Sequence, residues 1–285
     1  HAMAAQTLAE VSKVLGVPMT TSWGARAAVD ERSDLIVPMI SVDAVDAARS
    51  QADWVLVLGS RLGETDWWGK APRWASPGEQ KLVQVDIDLE HLGNNRPVDL
   101  PIQADVGAFL RKMLHQARGA QVPTSRKKWS DKLQKMRQKR RASLDKHLRK
   151  QQMPMHSAHV PTTCREIFGD DAILVVDGGN TSIWGLFYHE VRAPYSVLAT
   201  AKMGMLGAGV AQALGAKAAF PNRPVYCIIG DGAMGFHPQE IETAVRHDLR
   251  VIYLVLCDRQ WGMVKINQQF AMKPIKTLIK GTLSA

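Results

Sequence analysis

The chain has 285 residues, 46% of them apolar, and a formal net charge of +9 at pH 7. That length suits about two domains of roughly 100–200 residues each, and the apolar share is that of a globular protein rather than a disordered or fibrous one. No run of about 18 apolar residues occurs and the first residues lack a secretory pattern, so no membrane association is expected.

The positive charge is local. Residues 126–150 hold twelve Lys or Arg against Asp131 and Asp145, so the remainder of the chain is close to neutral. A generally basic surface would point to nucleic acid; one basic segment does not. Trp129 is the only aromatic residue inside it, whereas a single-strand binder interleaves several for base stacking. The expectation is a solvated amphipathic helix lying over a domain surface, with Trp129, Leu133, Met136, Leu144 and Leu148 as its sparse apolar stripe. The three cysteines, Cys164, Cys227 and Cys257, are far apart and lack metal-ligand spacing, which favours reduced thiols and a cytoplasmic location. Cys227 and Cys257 are each expected to close a buried strand.

In chain order, residues 1–15 have helical spacing, with Leu8, Val11 and Leu15 on one face. Residues 17–21 read as a short strand and 43–51 as a helix. Residues 53–59 read as a buried strand ending in glycine, 81–88 as a strand with acids at its end, and 106–117 as a helix. Alternation of this kind implies a parallel sheet covered on both faces. Residues 1–118 form the expected first domain, 119–160 a basic connector and 161–285 a second domain. The first domain opens on a helix where a doubly wound domain usually begins with a strand, so the chain is expected to be cut from a longer polypeptide. In the second domain, 172–177 is a strand followed by Gly178-Gly179-Asn180-Thr181, and 197–198 is a short strand. Residues 204–219 form a helix of small residues, and the tail from Phe270 carries no expected closing element.

The most informative stretch is 225–263. A strand ends in Gly230-Asp231-Gly232; a helix and a second strand follow, ending in Cys257-Asp258. One helix and one strand return the chain to the same sheet edge, so both carboxylates lie where open parallel sheets bind ligands. Two oxygen ligands on neighbouring strand ends suit Mg²⁺, which shares its shell with phosphate and water. Gly230 and Gly232 admit a phosphate close to the backbone. From the residues alone a diphosphate–metal site is expected, the alternative being an ordinary αβ crossover. His237, His247, Glu240 and Glu190 sit where surface or capping roles account for them.

This segment resembles the diphosphate-binding signature of thiamine-diphosphate-dependent enzymes: Gly-Asp-Gly, a fixed gap, then a polar pair. Asp177 to Trp184 is similar to the family's earlier diphosphate-contacting loop. Gly204 to Ala211 is similar to its glycine-rich helix start beside the thiazolium. Residues 1–118 resemble its central domain, including Val85-Asp86-Ile87-Asp88. The nearest subgroup is the acetolactate synthase-like decarboxylases and carboligases.

The resemblance implies an α/β fold of two doubly wound parallel-sheet domains, central and diphosphate-binding, joined by a basic linker helix. It implies that Asp231, Asp258 and the carbonyl of Gln260 bind Mg²⁺. The N–H groups of Gly232, Ala233 and Met234, with Asn180 and Thr181, would hold the diphosphate of thiamine diphosphate. Leu206 would be the apolar wedge that bends the cofactor, Gly204 would accept from its aminopyrimidine, and Met263 would line the pocket. The activating glutamate is expected in an N-terminal pyrimidine-binding domain, outside these residues and supplied across a homodimer or homotetramer. Arg61 and Asp88 are kept, but Thr65 stands where flavin-binding members carry a second arginine, which speaks against FAD. The implied activity is cleavage or formation of C–C bonds on a 2-oxo acid or related acyl donor. The alternatives are a non-catalytic nucleotide- or diphosphate-binding module and nucleic-acid binding through residues 126–150.

Overall fold

The computed structural model describes residues 2–150, 152–200 and 203–271. Their contacts divide the chain into two compact units, His1–Lys150 and Gln151–Ala285. Each is α/β, built on an all-parallel sheet.

The first unit contains α1 (Ala2–Leu15), α2 (Val42–Ser50), β1 (Trp54–Leu58), β2 (Lys81–Asp86), β3 (Leu100–Gln103), α3 (Val106–Ala117) and α4 (Thr124–Leu148). Its sheet has the order β1-β2-β3, with Leu56 opposite Val83 and Val83 opposite Leu100. β3 escapes a pattern reading because it carries Pro101. At a sheet edge the missing N–H of proline is tolerated. Asp105 caps α3, its Oδ1 accepting from the Ala108 N–H at 2.8 Å. Gln84, buried in β2, donates to the carbonyls of Ser60 and His91 and accepts from the Gly93 N–H at 2.8 Å. It thereby ties two loops to the carboxyl end of its strand. Residues 17–21 do not form a strand. They contribute one parallel bridge, Met19 to Ile36, in which Met19 N–H donates to Leu35 at 2.7 Å and accepts, through its carbonyl, from Val37 at 2.8 Å.

The basic helix α4 lies in this unit and packs on α2. Leu133 is 0% exposed and joins Val37, Ala44 and Ala47, with Trp129 and Met136 alongside. Three of its four arginines are spent on main-chain carbonyls. Arg126 donates to Leu15 at 2.7 Å, Arg137 to Ser33 at 2.8 Å and Ile36 at 3.2 Å, and Arg140 to Ile40 at 3.1 Å. A guanidinium carries five donors in a rigid fork, so one side chain can serve several acceptors of a loop.

The second unit contains α5 (His159–Ile167), β4 (Ile173–Asp177), α6 (Gly179–Tyr188), β5 (Val197–Ala199), α7 (Ala208–Ala219), β6 (Val225–Gly230), α8 (Asp231–Met234), α9 (Glu240–Arg246), β7 (Val251–Leu256) and α10 (Gly262–Ala271). The sheet order is β5-β4-β6-β7, all parallel. Alternation sets the two faces. Ile173, Val175, Cys227 and Ile229 pack against Val210, Ala213 and Ala216 of α7. On the other face α6 approaches so closely that a Cβ on Gly185 would lie 2.6 Å from Val176 Cγ1.

The small-residue helix starts at Ala208, four residues later than its composition suggests. Gly207 caps it at φ +86°, and a side chain there would meet Phe236 Cβ at 2.6 Å. Two helices appear where none was expected: α6, which opens directly on Gly179, and α10. The tail lies outside the described residues from 272 onward. Cys227 sits inside β6 and is buried, but Cys257 lies beyond the last residue of β7 and is exposed, so it closes no buried strand. The chain bends just beyond it, at Arg259 and Gln260, with Arg259 at φ +55°.

Two predictions follow from the packing. Leu133→Ala should lower the stability of the first unit by about 2–5 kcal/mol in denaturant unfolding, while Lys139→Ala on the exposed face should stay within about 0.5 kcal/mol. Burial pushes the Cys164 thiol up to about 11 and the Cys227 thiol up to about 12. A thiol-specific reagent at pH 8 should therefore titrate Cys257 alone in the folded chain and all three cysteines after denaturation. The raised folded values mean this burial stabilises fully below the ordinary thiol range near 9 and is lost as pH climbs from there toward about 12.

Candidate functional site

In the second sheet β4 has β5 on one side and β6 on the other. The chain leaves β4 toward β5, then crosses back to β6 and continues to β7. The reversal between β4 and β6 is a topological switch point, where open parallel sheets bind ligands beyond the carboxyl ends of their strands. Three loops meet at that edge: the one entering α6 after Asp177, the one entering α8 after Gly230, and residues 257–261 after β7.

Asp177, 1% exposed, anchors the first of them. Its Oδ1 accepts from the Gly178 N–H at 2.5 Å and its Oδ2 from the Gly209 N–H at 2.7 Å. One carboxylate thus fixes both the start of α6 and the first turn of α7. Gly178 stands at φ +94°, and a Cβ on it would sit 3.2 Å from the Gly230 nitrogen. Only glycine combines that conformation with that approach of two strand ends.

The second and third loops are joined through Asp231. Its Oδ1 accepts from Gly232 N–H at 2.8 Å and its Oδ2 from Arg259 N–H at 3.0 Å. Asp258 is exposed, and its Oδ1 accepts from Gln260 N–H at 3.1 Å. Each of these carboxylate oxygens keeps a second acceptor direction free of the bond described. Gln260 is itself held, its Oε1 accepting from Lys265 Nζ at 2.9 Å. The Gly232 N–H is engaged by Asp231, whereas those of Ala233 and Met234 open α8 and have no carbonyl one turn back within the helix. Ala233 is buried in the core, and Met234 and Leu206 pack against that same core.

Glycines set the spacing. A Cβ on Gly262 would strike Asn180 Nδ2 and lie 3.1 Å from Asp258 Oδ2, so Asn180 and Asp258 converge on one point. A Cβ on Gly232 would come 2.9 Å from the indole nitrogen of Trp261, and one on Gly179 would meet Met263 Cβ at 2.5 Å. Thr181 is buried with Oγ1 beside Gly230. The structure therefore brings Asn180, Thr181, Asp231, Gly232, Asp258, Gln260 and Met263 to one edge. Gly204 is different: it is exposed at φ +60°, and a Cβ on it would meet nothing within 4 Å.

Sequence reasoning missed the structural parts of this edge. Asp177 was legible only as a strand-end acid, and its bond to Gly209 spans 32 positions. Trp261, 38% exposed over Gly232 and 6.3 Å from the Phe236 ring, gave no periodic signal. Among the described residues no group of three or more His, Cys, Asp or Glu gathers as a metal centre. The donor set is two carboxylates with carbonyls nearby, which is the chemistry of a hard cation that keeps waters or takes phosphate oxygens.

Comparison with known proteins agrees with both units. Residues 1–113 match the central domain of thiamine pyrophosphate enzymes, and residues 177–279 match their C-terminal TPP binding domain. The chain belongs to the thiamine pyrophosphate-dependent enzyme family. Relatives include an acetolactate synthase of Mycobacterium bovis, 28% identical over 92% of this chain and 42% of its own length. A 2-hydroxyacyl-CoA lyase of Saccharomyces cerevisiae is 34% identical over 78% of this chain and 40% of its own. A sulfoacetaldehyde acetyltransferase of Alcaligenes xylosoxydans xylosoxydans is 27% identical over 91% and 47%. The chain spans less than half the length of these relatives.

Asp177→Asn replaces one of two accepting oxygens with an amide donor that faces an N–H. Its expected cost is about 1–3 kcal/mol of stability in the second unit, read by denaturant unfolding.

Proposed function

We propose that this chain forms the diphosphate-binding half of a thiamine-diphosphate- and Mg²⁺-dependent active site that cleaves or forms C–C bonds on a 2-oxo acid or related acyl donor. The observation that carries the reading is the convergence of Asp231, Asp258 and Asn180 at the switch point of the second sheet. Family membership supports the cofactor, and the donor set fits the metal.

When bound, thiamine diphosphate supplies the electron sink that C–C cleavage beside a carbonyl requires. The chain's own residues would do the holding. Asp231, Asp258 and the Gln260 carbonyl would ligate Mg²⁺. The N–H groups of Gly232, Ala233 and Met234, with the side chains of Asn180 and Thr181, would hold diphosphate oxygens, Gly232 doing so by exchanging its present bond to Asp231. Leu206, half-buried against the core, would serve as the apolar wedge, with Gly204 and Met263 beside it. Glycine at 178, 232 and 262 keeps the three loops close enough for one ligand to touch them all.

The same reading places the activating glutamate on an N-terminal pyrimidine-binding domain across a homodimer or homotetramer, in the cytoplasm, without FAD. Three free cysteines support a reducing compartment. Among the described residues no helix is long and apolar enough to cross a membrane.

Calorimetry tests the site. Thiamine diphosphate should bind the wild-type chain only with Mg²⁺ present, and Asp231→Ala should weaken that binding by about 10–100-fold or more. Equal affinity for the two proteins, or binding indifferent to Mg²⁺, would overturn the assignment.

A further inference from the structure

Trp261 sits between two residues of the candidate site. Gln260 precedes it, and Gly262, on which Asn180 and Asp258 converge, follows it. Its carbonyl accepts from the Lys265 N–H at 2.9 Å, which fixes the main chain at the start of α10. Its ring lies 6.3 Å from that of Phe236, at 32° between planes. Phe236 is in turn packed on Gly207, where a Cβ would meet Phe236 Cβ at 2.6 Å. Main chain and ring are thus both supported, while 38% of the residue stays open to solvent.

The indole turns its nitrogen edge to Gly232. A Cβ on Gly232 would lie 2.9 Å from Nε1, 3.0 Å from Cδ1 and 4.0 Å from Cε2. By standard dimensions a Cβ is about 2.5 Å from its own residue's nitrogen, so the indole and Gly232 nitrogens are at most about 5.4 Å apart. Two hydrogen bonds of about 2.9 Å to oxygens of one phosphate group span donors at that separation. An indole N–H can only donate. Among the described residues no acceptor engages this one, whereas the Trp74 N–H is taken by the Asp66 carbonyl at 2.8 Å.

The charge balance of the edge calls for such a donor. Asp177, Asp231 and Asp258 make it acidic. Lys265 Nζ is engaged by Gln260 Oε1 at 2.9 Å, and Arg259 serves Asp231 through its main-chain N–H. The groups that would hold a diphosphate here, three main-chain N–H groups with Asn180 and Thr181, are all uncharged. Each further neutral donor therefore counts, and one already held in place costs little ordering on binding.

We infer that Trp261 is a further diphosphate ligand, its indole N–H donating to a phosphate oxygen beside the Gly232 N–H. The inference rests on the reading of the second unit as a thiamine-diphosphate site. Phenylalanine at 261 would cover Gly232 as well but offer nothing to an oxygen, so that one change separates covering from binding.

Calorimetry with Mg²⁺ and either inorganic pyrophosphate or thiamine diphosphate, on wild type, Trp261→Phe and Asp231→Ala, makes the test. Trp261→Phe should bind both probes about 10-fold or more weakly than wild type, as expected for a lost hydrogen bond to a charged acceptor. Pyrophosphate is the decisive probe, because it has no ring for an indole to pack against. A second measurement does not depend on how the variant folds. With ¹⁵N-labelled tryptophan, one of the eight indole N–H signals of wild type should move downfield as magnesium pyrophosphate saturates the chain. The Trp261→Phe spectrum should lack that signal. Unchanged pyrophosphate affinity in Trp261→Phe, or eight indole signals that all stay in place while pyrophosphate binds, overturns the inference. Binding lost in Asp231→Ala but undiminished in Trp261→Phe removes the role of Trp261 and leaves the metal–diphosphate site standing. A wild type that binds neither probe with Mg²⁺ overturns both.

Discussion

A single buried carboxylate holds the second unit's working edge together. Asp177 ends β4 and takes the N–H of Gly178 and that of Gly209 at the same time. The first bond sets the left-handed turn that starts α6; the second pins the N-terminal turn of α7 against the opposite face of the sheet. Because α6 and α7 sandwich β4 and β6, their relative placement decides how the loops at the switch point are spaced. Asp231 repeats the device one strand over, linking the start of α8 to the loop after β7. Each strand-end acid ties its own turn to a neighbour that is distant in sequence, and the ligand edge is the sum of these ties.

Both the fold class and the position of the candidate site could be read from residue order, for a physical reason. Parallel strands buried on two faces write themselves as unbroken apolar runs, as in Ile173–Asp177 and Val225–Gly230. A strand, helix and strand of fixed length must bring Asp231 and Asp258 to one edge. What stayed hidden obeys other rules. β3 is disguised by Pro101, permissible only at an edge, and being an edge is a tertiary property. α6 starts on glycine because the strand ends are so close, and composition alone cannot announce that closeness. The helix from Ala208 was read four residues too long because Gly204 and Gly207 share its small-residue character while adopting positive φ. Trp261 over Gly232 arises from the meeting of two loops, a contact with no period to betray it.

Two devices tie down irregular main chain, and both units use both. At the candidate site, carboxylates accept from backbone N–H groups, as Asp105 does in the first unit. Elsewhere cationic and amide side chains donate to backbone carbonyls: Gln84 to two loops, Arg96 to Gly69 at 2.8 Å, the arginines of α4 to residues 15–40, and Lys217 and Arg223 in the second unit. Arg96 also lies over the Trp74 ring at 5.8 Å, where burial lowers its affinity for a proton. Asp177, Asp231 and Asp258 gather at the carboxyl edge of the second sheet. The guanidinium groups act as fasteners for irregular chain.

The fasteners of α4 have an electrostatic corollary. A carbonyl is a dipole, so it can orient a guanidinium without cancelling its charge. Arg141 meets a carboxylate of this helix, that of Asp145 at 3.1 Å, whereas Arg126, Arg137 and Arg140 bond carbonyls. Folding therefore leaves the segment's positive potential almost intact while removing its freedom to move. One flank of the first unit presents a stationary cationic field whose reach is set by the Debye length, about 30 Å in 0.01 M salt and about 8 Å at physiological ionic strength. In dilute buffer such a flank gathers polyanions and slows on a cation exchanger; in the cell the same residues are little more than the rivets of a loop.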